Sequence, residues 1–304
     1  MNRFGRALLS GRTLVTAECL PPRGADADVM RELTAALPQE LDGIVVPDNP
    51  DRVRASALSC GALLAREKGR SVIMAMTSRD RNRIGLVSDA LGAAALDIEA
   101  ILCLGGRHQS SGIAPQAAAA HDLDSIQLTQ ALKKMVLYGS GMNGRKLEPE
   151  IKLQIGATAN PYLRPLDLNL LRVRMKVHIG ADFLFTHAVF DLDGFGEWLD
   201  AVRSLGLDKR TAIIASVLPL GSVERARELD RSGIYGPVGE GVITRLALSA
   251  DPVREGIIIA AEVATKLKEL PGIRGIHILS GGAESRAAEV MRQAGLQMVP
   301  SPAN

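Results

Sequence analysis

Short apolar runs rich in β-branched residues recur along the whole chain. They lie at 15–18, 43–46, 71–76, 100–104, 152–157, 183–187, 212–217 and 275–279. Runs of this length, bounded by glycine, proline and polar residues, predict buried β-strands. The longer segments between them repeat apolar residues at helical spacing, as in SIQLTQALKKMVLYG and FGEWLDAVRSLG. The pattern therefore predicts alternating strands and helices.

Strictly alternating strands and helices indicate a parallel sheet, and near-continuous apolar strands indicate a sheet that is covered on both faces. Eight such units favour a closed (β/α)8 TIM barrel over an open doubly wound sheet. We predict one barrel domain over residues 1–304, with a helical insertion at about 234–270, where IYGPVGEG and two helical stretches precede the eighth strand.

Composition adds little to this fold prediction but narrows the function. The chain has 304 residues, is 46% hydrophobic and carries a formal charge of +2, so nothing favours a nucleic-acid partner. No apolar run is long enough to predict a membrane span. Cys19, Cys60 and Cys103 lie in apolar segments without metal-ligand spacing. We expect reduced cysteines and a cytoplasmic protein.

One acidic residue interrupts the first apolar run. Glu18 in VTAECLPP ends the first predicted strand, and the active site of a barrel lies at the carboxyl ends of its strands. Burial at such a position would raise the pKa of Glu18 and make it a general acid. The alternative is a structural role, with Glu18 in a salt bridge to Arg81 or Arg107.

Three other motifs are weaker. YGSGMNG has G-x-G-x-x-G spacing but follows a helical pattern, so the dinucleotide-binding context is missing. His108 and His121, with two nearby aspartates, match no standard metal spacing, and we predict no metal site. SGGAES at 280–285 indicates the start of a helix, with an anion-binding role as the alternative.

Several segments together resemble one family. ECLPP, VVPDNP, TSRDRNRIGLVSDALGAAALDIEAILCLGG, IGATANPY, KVHIGADFLFTHAVFDLDGF and IIASVLPL resemble, in order, successive strand ends of the methylenetetrahydrofolate reductase family. That family consists of (β/α)8 barrels that carry a flavin, FAD or FMN, and reduce a folate-bound methylene group to methyl. The resemblance implies this fold, a tetrahydrofolate substrate and an oxidoreductase of one-carbon metabolism.

The resemblance also implies roles for individual positions. Glu18 falls on the family's proton donor, and Lys176 falls on a basic residue near the flavin phosphates. The positions on the cofactor side are Thr77, Gly106, Asn160 and Lys176. The positions on the substrate side are Asp48, Arg107 and His187.

The chain departs from the family at three pocket positions. It has Gly106-Arg107 where Gly-Asp is usual, His187 where Gln is usual, and Ala75 where many members have His. Arg107 inverts a charge beside the expected flavin, so flavin dependence is open. His187 donates a hydrogen bond as Gln does, titrates as an acid or base, or is a core histidine.

Three functions agree with these residues. The first is a flavin-dependent methylenetetrahydrofolate reductase. The second is a flavin-free folate-dependent methyltransferase or reductase, which the Arg107 change favours. The third is a non-catalytic barrel subunit of a redox complex, against which Glu18 argues. The resemblance is to short members without a regulatory domain, for which we expect an oligomer and a partner redox subunit.

Overall fold

The computed structural model describes residues 1–66, 70–108, 114–120, 122–233 and 235–296. The strands are β1 (Leu14–Glu18), β2 (Gly43–Val46), β3 (Val72–Thr77), β4 (Ala100–Leu104), β5 (Gln154–Ala159), β6 (Phe183–Ala188), β7 (Ala212–Val217) and β8 (Ile273–Ile278). The helices are α1 (Arg3–Leu9), α2 (Ala27–Ala35), α3 (Ala57–Ala65), α4 (Arg83–Ala95), α5 (Ser125–Tyr138), α6 (Leu166–His178), α7 (Leu192–Ser204), α8 (Val223–Ser232), α9 (Glu240–Leu248), α10 (Pro252–Glu269) and α11 (Arg286–Gln293).

The strands form a closed barrel in sequence order, and every neighbouring pair is parallel, including β1 with β8. This confirms the predicted (β/α)8 barrel. Each predicted strand matches an observed one to within two residues at either end. The match is close because strands buried on both faces are apolar throughout, which makes them visible in the sequence.

Polar side chains fix where several helices begin. Asp26, Asn82, Asp124 and Asp191 precede α2, α4, α5 and α7, and each accepts hydrogen bonds from backbone amides of the first helical turn. At α5 the Gln127 side-chain oxygen accepts a hydrogen bond from the Asp124 amide, which completes a capping box. These caps place the beginning of each helix just after the loops that surround the barrel mouth.

Two separate apolar layers hold the barrel together. One lies between the strands and the surrounding helices, where outward residues such as Val15 and Ala17 are fully buried. The other fills the barrel interior and includes Leu14, Ile73 and Phe185. Alternation along β1 therefore directs Leu14, Thr16 and Glu18 inward, at successively higher levels toward the mouth.

Helix α1, which the apolar pattern did not predict, closes the bottom of the barrel. Phe4 is fully buried, and its ring meets the ring of Phe183 edge to face at a centroid distance of 5.3 Å. Room for Phe183 comes from Gly156 on the adjacent strand, where a Cβ atom would lie 2.2 Å from the Phe183 ring. The N-terminal segment is thus part of the barrel core.

The region between β7 and β8 contains the additional elements. Helix α10 packs on β7 and β8 and so occupies the position of a barrel helix, whereas α8 and α9 are extra. Together with the ends of β6 and β7, α8 and α9 enclose a third apolar cluster that includes Leu220, Leu229 and Leu246. Of the predicted insertion at 234–270, residue 234 lies outside the described residues, α9 is additional and α10 belongs to the barrel.

Within the described residues, no helix combines the length and apolarity needed to cross a membrane.

Replacing Phe4 tests whether α1 is part of the core. We expect Phe4→Ala to lower the free energy of unfolding by about 3–5 kcal/mol, because a fully buried aromatic side chain leaves a cavity. Leu9→Ala is the matched control, since Leu9 ends the same helix with a side chain that is 73% exposed, and we expect a change within about 0.5 kcal/mol. Urea denaturation measures both; equal effects would show that α1 does not close the barrel.

Candidate functional site

The carboxyl end of β1 places Glu18 in a buried corner beside β8. Its Oε1 accepts hydrogen bonds from the Ser280 hydroxyl at 2.9 Å and the Ser280 amide at 3.3 Å. Ser280 follows β8, and Ser280 Oγ in turn accepts a bond from the Gly282 amide at 3.2 Å. The loop after β8 therefore holds the Glu18 carboxyl group in one orientation.

Burial decides the protonation of Glu18. The side chain is almost inaccessible, and this burial raises the pKa of Glu18, while the Ser280 donors act in the opposite direction. Within the described residues, neither Arg81 nor Arg107 contacts Glu18, so the salt bridge considered from the sequence does not form. A carboxyl group with a raised pKa keeps its proton to a higher pH than an exposed one and can act as a general acid.

Asp48 and Thr77 form part of a polar cluster at the ends of β2 and β3. Asp48 accepts a hydrogen bond from the Thr77 amide at 2.8 Å and pairs with Arg81, which also binds Asp89 at 2.6 Å. Burial raises the pKa of Asp48, and the Arg81 charge opposes that effect. These contacts fix the shape of the rim on this side of the barrel.

Gly106 lies where the loop after β4 passes close to β3. It has a φ of +74°, and a Cβ atom there would lie 2.7 Å from Thr77 Cγ2 and 3.0 Å from Arg79 Cβ. Only glycine fits both the backbone conformation and the space. Gly106 thereby places the next residue, Arg107, on the exposed rim, with its guanidinium 3.5 Å from the Pro50 carbonyl oxygen.

A groove of about 460 Å³ runs along this rim, beside the start of α5. Its lining includes Gly105 and Gly106 and three arginines, Arg79, Arg107 and Arg172. Arg79 pairs with Asp80 at 2.6 Å, whereas Arg107 and Arg172 have no ion pair within the described part of the chain. Two exposed guanidinium groups facing one groove suit an anionic ligand.

Lys176 and Asn160 lie on the neighbouring part of the rim and are engaged locally. Lys176 reaches from α6 to donate a hydrogen bond to the Thr158 carbonyl at 2.7 Å, and burial, together with Arg172, lowers its pKa to about 8. The Asn160 side-chain oxygen accepts from the Tyr162 amide at 3.0 Å. Asn160 therefore shapes the turn after β5.

A register irregularity places His187 near the end of β6. The β6–β7 pairing shifts between Phe185 and Ala188, and such bulges change the direction of a side chain. His187 Nδ1 is buried without a hydrogen-bond partner among the described residues, and burial together with Lys176 lowers the pKa of His187 to about 4. The ring is neutral at pH 7, and its Nδ1 is a buried polar atom that is left unsatisfied among the described residues.

Two residues of the site were not singled out from the sequence. Glu284 is 3% exposed and accepts a hydrogen bond from the Leu20 amide at 3.0 Å. Tyr235, from the loop between α8 and α9, has its pKa raised to about 12 by burial and by the charge of Glu18. The sequence could have indicated that Glu284 lies near Glu18, because SGGAES follows β8 and a closed barrel places β8 beside β1.

The described residues contain no group of three or more histidine, cysteine or acidic side chains that could hold a metal ion. His121 of the suggested histidine pair lies outside the described residues, as do 109–113 of the same loop. Asp122 is bound to Arg83, and Asp124 caps α5.

Fold and site together define a (β/α)8-barrel protein with a buried acid at the carboxyl end of β1 and a basic groove on the opposite side of the mouth. This chain belongs to the methylenetetrahydrofolate reductase family, whose sequence profile matches residues 3–295.

The individual relatives are distant. Methylenetetrahydrofolate reductase 1 of Schizosaccharomyces pombe is 27% identical over 135 residues, a stretch that covers 43% of this chain and 22% of the yeast protein. The match therefore spans less than a quarter of that relative's length.

Two solved structures show a similar fold. One is a Clostridium thermocellum protein that binds two copies of 5-methyl-5,6,7,8-tetrahydrofolic acid; it has a TM-score of 0.69 and 15% identity, over 97% of this chain and 100% of that one. The other is an F420-dependent secondary alcohol dehydrogenase, with a TM-score of 0.56 and 13% identity, over 93% of this chain and 99% of that one.

The close approach at Gly106 gives a testable consequence. We expect Gly106→Ala to destabilise the fold by more than Gly144→Ala, because both glycines have a positive φ (+74° and +77°) but only Gly106 lacks space for a Cβ atom. The shared conformational cost is about 1–2 kcal/mol, and the clash adds about 1–3 kcal/mol. Thermal and urea unfolding measure the difference; equal losses would mean that the Thr77 contact adjusts freely.

Proposed function

We propose that this protein is an oxidoreductase of one-carbon folate metabolism that reduces a folate-bound methylene group to methyl, with Glu18 as the proton donor. The observation that carries the proposal is the buried Glu18 carboxyl group, whose pKa is raised and whose Oε1 is held by Ser280. Family membership supports the proposed reaction class, and the geometry around Glu18 supports the choice of residue.

The proton step follows from the position of Glu18. Oε1 accepts both Ser280 hydrogen bonds, so in this proposal Oε2 carries the proton that is given to the folate. Protonation of the folate nitrogen lets its bond to the methylene carbon break, which leaves an iminium carbon on the other nitrogen. That carbon accepts a hydride with its electron pair and becomes a methyl group, and Glu18 is left ionised.

The cationic groups of the mouth support folate as the ligand. Folates carry carboxylates on their glutamate tail, and Arg107 is exposed on the rim with a guanidinium that pairs well with a carboxylate. The methyltetrahydrofolate-binding protein of similar fold is in agreement with this assignment.

The groove residues fit an anionic cofactor such as a flavin nucleotide. Arg172 would hold its phosphate groups, and Lys176 and Thr77 lie on the adjoining rim. Such a cofactor, when bound, supplies the hydride. The chain's own part is to bind the folate, orient it and deliver the proton.

A second candidate is a flavin-free reductase or methyltransferase that uses the same folate site. The observation in its favour is Arg107, which puts a permanent positive charge where the family usually has Asp. A non-catalytic barrel subunit is less consistent with a buried Glu18 whose pKa is raised. The oligomer, the redox partner subunit and the cytoplasmic location stay predictions.

Glu18→Gln tests the proton donor. We expect turnover of methylenetetrahydrofolate, with chemically reduced flavin supplied in excess, to fall by about 10²-fold or more, the effect of losing a general acid. Binding of 5-methyltetrahydrofolate, measured by calorimetry, should stay within a few-fold, because Gln keeps the shape and the Ser280 contact. Glu240→Gln on the exposed face of α9 is the control. Unchanged turnover with a lower melting temperature would assign Glu18 a structural role.

Arg107→Asp tests the cofactor. We expect the unmodified protein to purify with little or no flavin, and the variant to bind FAD more tightly and the folate glutamate tail less tightly. Absorbance between 350 and 500 nm measures flavin, and calorimetry measures folate. Arg145→Asp, an exposed arginine of another loop, carries the same charge change as a control. Equal affinities in all three proteins, or full flavin in the parent, would remove Arg107 from the cofactor argument.

A further inference from the structure

A second carboxylate lies in the buried corner that holds Glu18. Glu284, in the loop between β8 and α11, is 3% exposed, and Glu18 is 7% exposed. Acidic side chains are rarely buried to this degree without a cationic partner. Within the described residues, neither carboxyl group pairs with a lysine or arginine, which is the unusual feature of this corner.

Each of the two carboxyl groups accepts a hydrogen bond from the chain segment that carries the other one. Glu18, on β1, accepts hydrogen bonds from Ser280 in the β8 loop. Glu284, in the β8 loop, accepts from the Leu20 amide, two residues after Glu18, at 3.0 Å. The two bonds form a reciprocal clamp across the junction where β8 closes the barrel against β1.

We infer that Glu284 is a positioning residue that holds the turn after β1 through the Leu20 amide and adds a second negative group to the buried corner of Glu18. The inference deepens the proposed function, on which its catalytic meaning rests. It assigns Glu284 no contact with the substrate.

Among the described groups near Glu18, Glu284 is the one that carries a negative charge while Glu18 titrates. Within the described residues, the titratable groups that interact electrostatically with Glu18 are Cys19, which follows β1, Glu284 after β8 and Tyr235 from the loop between α8 and α9. Burial raises the pKa of both Cys19 and Tyr235 to about 12, so both are uncharged while Glu18 titrates. Arg286, which begins α11, turns its guanidinium to the Pro219 carbonyl at 3.1 Å. Burial is the largest cause of the raised pKa of Glu18, and the charge of Glu284 acts in the same direction.

Glu284→Gln separates charge from shape, because the amide oxygen of Gln can still accept from Leu20. We expect the titration midpoint of Glu18 to fall by about half a pH unit or more, a roughly threefold loss of proton affinity. Carboxyl ¹³C NMR of glutamate-labelled protein measures the midpoint, and the Glu18→Gln variant identifies the signal. Glu289→Gln, a loss of the same charge from a glutamate paired with Arg292 on α11, should leave the midpoint unchanged.

Glu284→Asp completes the test, since it keeps the charge but shortens the reach to Leu20. Its Glu18 midpoint should stay near that of the parent. An unchanged midpoint in Glu284→Gln, or equal shifts in the Gln and Asp variants, would overturn the inference.

The NMR titration needs no turnover, so a shifted midpoint in a protein that reduces no folate would refute the proposed function and leave the inference intact. With turnover, Glu284→Gln should lose activity at a lower pH than the parent on the alkaline side.

Discussion

The closure of the barrel between β1 and β8 is the constraint on which the site depends. Strands from opposite ends of the sequence meet there, and Thr16 pairs with His277 in register. The distance between Thr16 Oγ1 and His277 Nδ1 is 3.0 Å. One level higher, the same closure brings Ser280 to Glu18. Without this strand pair, Glu18 would end an exposed strand edge and its carboxyl group would be hydrated and ionised.

The mouth divides its charges by position. Carboxyl groups lie buried on the β1–β8 side, where burial favours the neutral acid, and exposed guanidinium groups line the groove by β4 and α5. The separation matters because an arginine bound to Glu18 would lower its pKa and remove the proton that the proposed reaction needs. The arginines near the mouth are held elsewhere: Arg81 by Asp48 and Asp89, and Arg107 on the rim at Pro50.

Two polar side chains near the mouth are buried without full compensation. His187 Nδ1 lacks a partner among the described residues, and Lys176 donates its hydrogen bond to a neutral carbonyl group. Both arrangements cost stability, since each group loses hydration for less than full compensation. Burial of the apolar interior, where Phe4, Phe183 and Phe185 make edge contacts, offsets this cost.

The sequence by itself determined the strands, most helices and the barrel, because strands covered on both faces must be apolar throughout and helices must alternate with them. It also indicated Glu18, since an acid that ends an apolar strand is unusual. Helix α1 was not predicted from the sequence because it is short and packs only one aromatic face against the bottom of the barrel. Only the tertiary structure decided which groups meet at the mouth. Ser280 and Glu284 lie beside Glu18, Arg81 binds Asp48 instead of Glu18, and His187 Nδ1 is buried without a partner among the described residues. These side-chain contacts depend on which loops the closure of the barrel brings together and on which partner each side chain reaches. The local spacing of apolar residues determines neither of the two.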